Sequence, residues 1–186
     1  MSRSELESGA RQRGMVLVSS LLLLLVVTII AITMFHSFGT QERIASNVRE
    51  KQRALHAAES AQQYAEWWLS TGNGGTVITC GAAVTAPLGQ VCTNQLADVR
   101  NVPWMISSAE TGVIYTPPGM TISTTPAAGT YYKAPSFYIA YVGLTDGGKS
   151  SVYQIDAVGY GGRDDAVAVV ESTYKVTASM KDLGGL

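Results

Sequence analysis

RQRGMVLVSSLLLLLVVTIIAITMF, residues 11–35, sets Arg11, Arg13 and Gly14 against an unbroken apolar run. From Gly14 to Gln41 there is no charged side chain, which exceeds the roughly 20 residues needed to cross a hydrocarbon core about 30 Å thick. A removable secretory signal has an apolar core of only about 7 to 15 residues before a small-residue cleavage site, so cleavage near Ala31 is disfavoured. The run is long enough to span a bilayer and to be kept. Arg3, Arg11 and Arg13 precede it, favouring a cytoplasmic start, but Arg43, Arg49, Lys51 and Arg53 follow closely, so charge alone leaves the orientation open.

The far side of the span speaks more clearly. Cys80 and Cys92 are the chain's two cysteines, at a spacing that suits a small disulfide loop in an oxidising compartment, with a pair of buried free thiols as the alternative. A bridge there contributes about 3 kcal/mol by constraining the unfolded chain. With 186 residues the chain holds one modest domain plus the segment outside it. A net charge of −1 with 15% charged residues gives no basic surface for a nucleic-acid backbone.

Between Met15 and Thr71 there is no proline and one glycine, Gly39, whereas all six prolines fall at Pro87 or later. Beyond the apolar run, Ile44, Val48, Leu55, Ala58, Ala61, Ala65 and Trp68 recur at helical spacings, with Glu42, Arg43, Arg49, Glu50, Lys51 and Arg53 mostly off that stripe. Gly72-Asn73-Gly74-Gly75 supplies the stop. The reading is one continuous helix on the order of 80 Å long, apolar all round in its first half and amphipathic in its second. Gly39 is either a tolerated helix glycine costing about 1 kcal/mol or a hinge near the membrane surface.

Residues 76–135 are rich in Thr, Ala, Gly and Pro and read as surface loops with minor strands. After Pro135 alternation sharpens. Phe137, Ile139 and Tyr141 alternate with Tyr138, Ala140 and Val142; Tyr153, Ile155 and Ala157 alternate with Gln154 and Asp156; Ala168, Val170, Tyr174 and Val176 oppose Glu171, Thr173 and Lys175. Short turn-rich links at residues 145–149 and 161–165 favour an antiparallel meander, one face of which takes the amphipathic half of the helix. The expected fold class is therefore α+β: a long N-terminal helix packed on a small antiparallel β-sheet.

Gly143 to Ser150 fits the spacing G-x-x-x-x-G-K-[ST] of a phosphate-binding loop. That mechanism needs a helix starting at the lysine so that its amides face phosphate, and Ser151 to Gly159 alternates as a strand, so the segment reads as a hairpin turn. His36 and His56 form no cluster, and no metal spacing or nucleophilic triad can be assembled, so no catalytic residue, metal or cofactor is expected. Asp164 and Asp165 read as solvated turn residues rather than a calcium site. Trp67 and Trp68 are expected to pack on the sheet, the alternative being an exposed binding edge.

A charged leader ending in Gly14, a long apolar helix, its amphipathic continuation and a small antiparallel sheet together resemble a type IV pilin precursor. The wording of residues 11–69, with RQRGMVLVSSLLLLLV leading to ERIASNVREKQRALHAAESAQQYAE, is similar to the PilX family of minor pilins, as is the closing VYQIDAVGYGGRDDAVAVVESTYKV. The resemblance covers roughly the first 70 and last 50 residues. It implies residues 1–14 as a leader peptide, 15–38 as a transmembrane and filament-core helix, 39–71 as its amphipathic continuation and 72–186 as a periplasmic globular part. It further implies that a prepilin peptidase cuts between Gly14 and Met15 and that Met15 is then N-methylated. Removing the leader's arginines removes charge that would oppose drawing the helix from bilayer into a helix bundle.

Most pilins carry a glutamate five residues after the cut, pairing with a neighbour's terminal amine, and here that position is Ser19. A carboxylate in hydrocarbon costs about 2.5 to 3.5 kcal/mol unless paired, so a subunit with no neighbour beyond it gains by lacking one. The resemblance thus implies a non-catalytic subunit of a tip or priming complex that initiates pilus assembly and supports motility, adhesion or DNA uptake. Its partners would be other minor pilins, the major pilin, the prepilin peptidase and the inner-membrane assembly platform, with no direct nucleic-acid contact. It would sit in the inner membrane before assembly and on the surface pilus after it. Two alternatives stay open: a minor pseudopilin of a type II secretion system, and a single-pass membrane-anchored periplasmic binding or sensor protein. Major pilins place their disulfide late in the chain, so a Cys80–Cys92 loop departs from that pattern.

Overall fold

The computed structural model of the chain describes residues 8–81, 84–85, 89–125 and 127–177. Residues 1–7 of the expected leader and the side chain of His36 lie outside the described residues. The chain divides into two compact units, Met1–Ser46 and Asn47–Leu186, and one helix, α1 (Ser8–Ser70), contributes to both.

In the first unit the described chain is helical throughout, as expected where Leu, Val and Ile run without proline. Its apolar side chains from Met15 to Phe35 are exposed. The helix continues through Gly39, where an added Cβ would meet nothing within 4 Å.

In the second unit α1 ends where the glycines begin. Gly72 takes φ +91°, a left-handed conformation open to glycine, and its N–H donates to Leu69 O at 3.1 Å. Asn73 Nδ2 adds a bond to Trp68 O at 2.9 Å. Six two-residue strands follow: β1 (Val77–Ile78), β2 (Val84–Thr85), β3 (Val91–Cys92), β4 (Met105–Ile106), β5 (Ala109–Glu110) and β6 (Val113–Ile114). Three long ones close the fold: β7 (Ser136–Thr145), β8 (Ser150–Tyr160) and β9 (Val167–Thr177).

The long strands form the expected antiparallel meander, β7 to β8 to β9, with a bulge in β7 between Tyr141 and Gly143. The sheet as a whole is mixed rather than purely antiparallel. Along its other edge β7 takes β6 antiparallel at Phe137 and then β3 parallel at Ile139, while β1 joins β3 and β2 joins β6, both parallel. Four pieces of the segment read as surface loops with minor strands thus extend the main sheet, and β4 pairs with β5 in a separate hairpin. Strands of two residues are too short to carry a readable alternation.

The middle of the sheet, in β7 and β8, is buried on both faces. On one, Ala61, Ala65 and Leu69 of α1 pack on Phe137, Ile139, Tyr153, Ile155 and Ala157. On the other, Tyr138, Ala140, Val158 and Tyr160 lie beneath Cys80, Cys92 and Trp104. Trp104 Nε1 is satisfied by Val99 O at 2.8 Å.

Of the expected stripe, Ala58, Ala61 and Ala65 are buried and Trp68 half-buried, whereas the larger Val48 (50% exposed) and Leu55 (39%) face outward; Ala54, Ala57 and Leu69 complete the buried row. The reason is close approach: a Cβ built on Gly159 of β8 would stand 2.3 Å from both Ala54 O and Ala58 N. Only small residues fit at such a crossing. Of the tryptophans, Trp68 is half-buried against the core and lies over Gly89, whereas Trp67 stays 57% exposed and touches Tyr64 at a ring distance of 5.5 Å.

Candidate functional site

The apolar helix is the first candidate. Among the described residues one helix is long and apolar enough to cross a membrane. Its hydroxyls are satisfied within the helix: Ser19 Oγ donates to Val16 O at 3.0 Å, Ser20 to Leu17 O at 2.9 Å, Thr28 to Leu25 O at 2.8 Å and Thr33 to Ile30 O at 2.8 Å. Back-bonding of this kind lets a hydroxyl enter hydrocarbon without a partner on another chain. The Ser19 hydroxyl therefore has its hydrogen bond within its own helix. Gly14 and Met15 stand in the same exposed helix, Met15 at 78% exposure.

Within the second unit, charged side chains of the helix clamp two loops. Glu50 Oε2 accepts the Gly162 N–H at 2.6 Å, and Arg53 Nη1 donates to Glu50 Oε1 at 3.0 Å. Arg53 Nη2 reaches Thr130 O at 2.6 Å, and its guanidinium lies 4.5 Å from the Tyr131 ring centroid. Lys51 donates to Val167 O. Burial pushes the Glu50 carboxyl upward, but the Gly162 amide and Arg53 outweigh it and hold it below the ordinary carboxylate range. The Glu50–Arg53 spacing of three is visible in the sequence as a helical ion pair; its reach to Thr130 and Gly162 is not.

Asp156 sits on the sheet face away from the helix and is fully buried. Gln154 Nε2 donates to its two oxygens at 3.1 and 3.3 Å, and Glu171 lies opposite it on β9. Burial pushes its carboxyl up to about 6, against the Gln154 bond and with help from the Glu171 charge. Burial, with Asp156 adding to it, raises the nearby Tyr138 hydroxyl to about 12, and that hydroxyl donates to Asn94 O at 2.7 Å. Alternation alone places Asp156 on the polar face of an amphipathic strand, so its burial is a finding of the structure.

The structure joins Cys80 and Cys92 in a disulfide, Cα atoms 5.3 Å apart, both buried against the second sheet face. Asn94 reinforces the loop: its Oδ1 accepts the Cys80 N–H at 2.9 Å and its Nδ2 donates to Cys80 O at 3.2 Å.

The segment Gly143–Ser150 is a hairpin between β7 and β8, with a single 3-10 turn over Asp146–Gly148 and no helix at Lys149. A carboxylate occupies its centre: Asp146 pairs with Lys175 and accepts from Ser150 Oγ at 3.0 Å. These contacts, the Lys175 bond first, hold its carboxyl below the usual range. His56 is exposed beside Glu59, Asp165 pairs with Arg163, and among the described residues no group of three or more His, Cys, Asp or Glu side chains converges. Asp164 lines the rim of an open cleft of about 580 Å³ walled by Val102, Ile122, Tyr132, Tyr160 and Val167.

The described residues offer an exposed apolar helix and, in the second unit, a sheet whose loops are braced by helix side chains. A family model described as PilX N-terminal matches residues 13–62, and one described as type IV pilus assembly protein PilX C-term matches residues 62–176. No curated protein and no solved structure gives a match. The two family matches run end to end from residue 13 to residue 176, and the chain belongs to the PilX family of type IV pilus assembly proteins.

Proposed function

We propose that the chain is a minor pilin made as a precursor, cut between Gly14 and Met15 by a prepilin peptidase and methylated at Met15. The retained helix anchors it in the inner membrane with the head in the periplasm, then exchanges lipid for the helices of other pilins as the filament is drawn from the assembly platform. Within the pilus it belongs to a tip or priming complex. The observation that carries this reading is the Ser19 hydroxyl, bonded to Val16 O at 3.0 Å. A glutamate there is costly in hydrocarbon without a neighbour's amine, whereas this serine is complete in itself and suits a subunit with no neighbour beyond it.

Mass analysis of the mature protein tests the processing step: a start at methylated Met15 with the two cysteines oxidised supports it, and an intact Met1 points to an uncut anchor. Labelling of intact filaments tests position. Signal confined to filament ends supports the tip complex, and uniform signal along the shaft defeats it. Gene neighbourhood separates the pilus from a type II secretion system.

A further inference from the structure

Strand β9 is the outermost of the long strands. It pairs with β8 from Val167 to Thr177 without a bulge and, among the described residues, with no other strand. The register fixes which backbone groups point outward. Gly161 N–H donates to Ala166 O at 2.7 Å, so Ala166 turns toward β8, and the alternation of an antiparallel ladder turns Val167 and every second residue after it away. The Lys51 ammonium meets Val167 O from outside, in keeping with this, and closes the edge at that point. What is left is a regular open edge whose outward residues are Val169, Glu171, Thr173, Lys175 and Thr177. Native sheets usually blunt such an edge, because it is a ready template for another strand.

We propose that this edge receives β9 of a second copy of the chain, antiparallel, about a two-fold axis at Thr173. Thr173 is the midpoint of the stretch that Lys51 leaves open. In this register every outward N–H and C=O from Val169 to Thr177 meets a backbone partner. Glu171 then lies opposite Lys175 of the second copy, and Lys175 opposite its Glu171. On the helix-facing side, Val170 meets Val176 and Ser172 meets Tyr174. Opposite charges and apolar pairs directly across an antiparallel ladder stabilise it, and like charges do the reverse.

The other two-fold registers that match outward groups are poorer on this count. Axes at Ser172 and Tyr174 leave Glu171 and Lys175 with no opposite charge across the ladder, an axis at Glu171 sets two glutamates face to face, and an axis at Lys175 two lysines; a pairing shifted by one residue sets outward groups against inward-bonded ones. Both charged side chains are exposed. Lys175 is also held by Asp146, and Glu171 accepts from Gln154 Nε2 at 3.4 Å. An exposed ion pair of that kind contributes little, and both groups retain further hydrogen-bonding capacity.

The contact is isologous, each copy using one patch. A two-fold axis normal to the sheet keeps the helix segments on one face of the joined sheet and reverses their sense. If the chain is a pilin as proposed above, the pair therefore joins subunits of different filaments rather than neighbours with parallel helices. The pairing itself does not depend on that reading.

The test uses the purified full-length chain in detergent micelles, with association followed by sedimentation equilibrium. Wild type is expected to dimerise reversibly, and Glu171→Lys and Lys175→Glu each to weaken dimerisation at least tenfold. An equimolar mixture of the two variants is expected to recover it, since the edge of one then carries two cations and the edge of the other two carboxylates, each cation opposite a carboxylate. Thr173→Cys is expected to give a cross-linked dimer under mild oxidation, because hydrogen-bonded antiparallel pairs hold their Cα atoms about 5.5 Å apart. The proposal is overturned if wild type stays monomeric and Thr173→Cys does not cross-link, which would leave the edge to residues 178–186 or to another protein. It is equally overturned if dimers form with undiminished affinity in both charge variants, or if the mixture fails to recover what each variant loses.

Discussion

Gly159→Ala adds a single carbon, and the structure says where it goes. The new Cβ would lie 2.3 Å from Ala54 O, 2.3 Å from Ala58 N and 2.9 Å from Ala57 C, all of them helix backbone. None of these atoms can swing aside as a side chain tip does. To restore ordinary contact near 3.4 Å, helix and strand must part by about 1 Å along the whole buried row, opening gaps beside Ala54, Ala57, Ala58 and Ala61. Overpacking of this kind costs typically 1 to 3 kcal/mol, and backbone on both sides puts this site at the upper end, about 3 kcal/mol. For a unit of this size each kcal/mol lowers Tm by about 2 to 4 °C, so a drop of about 10 °C is expected. The assay is thermal unfolding in detergent micelles followed by near-ultraviolet circular dichroism, which reports the Tyr and Trp packing of the head. Gly75→Ala is the control, since its Cβ would meet nothing within 4 Å. A Gly159→Ala variant melting within about 2 °C of wild type, less than 1 kcal/mol on the same scale, would refute the close crossing of α1 and β8.

Three further outcomes follow from named groups. Asp156 has its folded carboxyl raised to about 6 from 3.8, so its burial weighs against the fold increasingly as pH rises from about 4 to 6 and stays constant above. Asp156→Asn is accordingly expected to match wild type near pH 3.5 and to exceed it by up to about 3 kcal/mol at pH 8 in denaturant titrations. Glu50 runs the other way: its folded carboxyl is lowered, so its contribution is present above the unfolded value of 4.5 and disappears as pH falls through the folded one. Glu50→Gln should cost about 1 to 2 kcal/mol at pH 7 and progressively less as the carboxyl is protonated on acidification, read from the same titrations. Cys80→Ser with Cys92→Ser removes the loop constraint and should lower stability by about 3 kcal/mol while leaving the far-ultraviolet helix signal unchanged at about 20 °C.

How much of this was legible depends on the length over which a pattern repeats. Strands β7, β8 and β9 run for ten or eleven residues each, enough for alternation to declare them, and the glycine-rich links between them fix the meander. The helix was legible for the same reason, together with its stop at the residues after Ser70. Strands β1 to β6 are two residues long and owe their existence to the edges of β7 and to each other, so no local period marks them, and with them went the parallel part of the sheet. Alternation set Asp156 on the correct face, but its burial was not legible, because alternation reports two faces and not what covers each; the covering segment, with Trp104 and the Cys80–Cys92 bridge, comes from the stretch that had no readable pattern.

The helix stripe was legible at Ala58, Ala61 and Ala65 and misleading at its larger members. Apolar periodicity weights Val48 and Leu55 above alanine, yet it is the alanines that meet the sheet. A helix that crosses a strand at Gly159 with backbone nearly in contact cannot offer leucine at that face; the burial is made with Ala54, Ala57, Ala58, Ala61 and Ala65, and Leu69 enters only at the end. Val48 and Leu55, seven residues apart on the outer side of the same helix, are left exposed in this unit. If the helix lies against other helices in a filament, as proposed above, Val48 and Leu55 give that contact apolar surface, and replacing either by serine is then expected to lower filament assembly while leaving the thermal unfolding of the purified chain within about 1 kcal/mol of wild type.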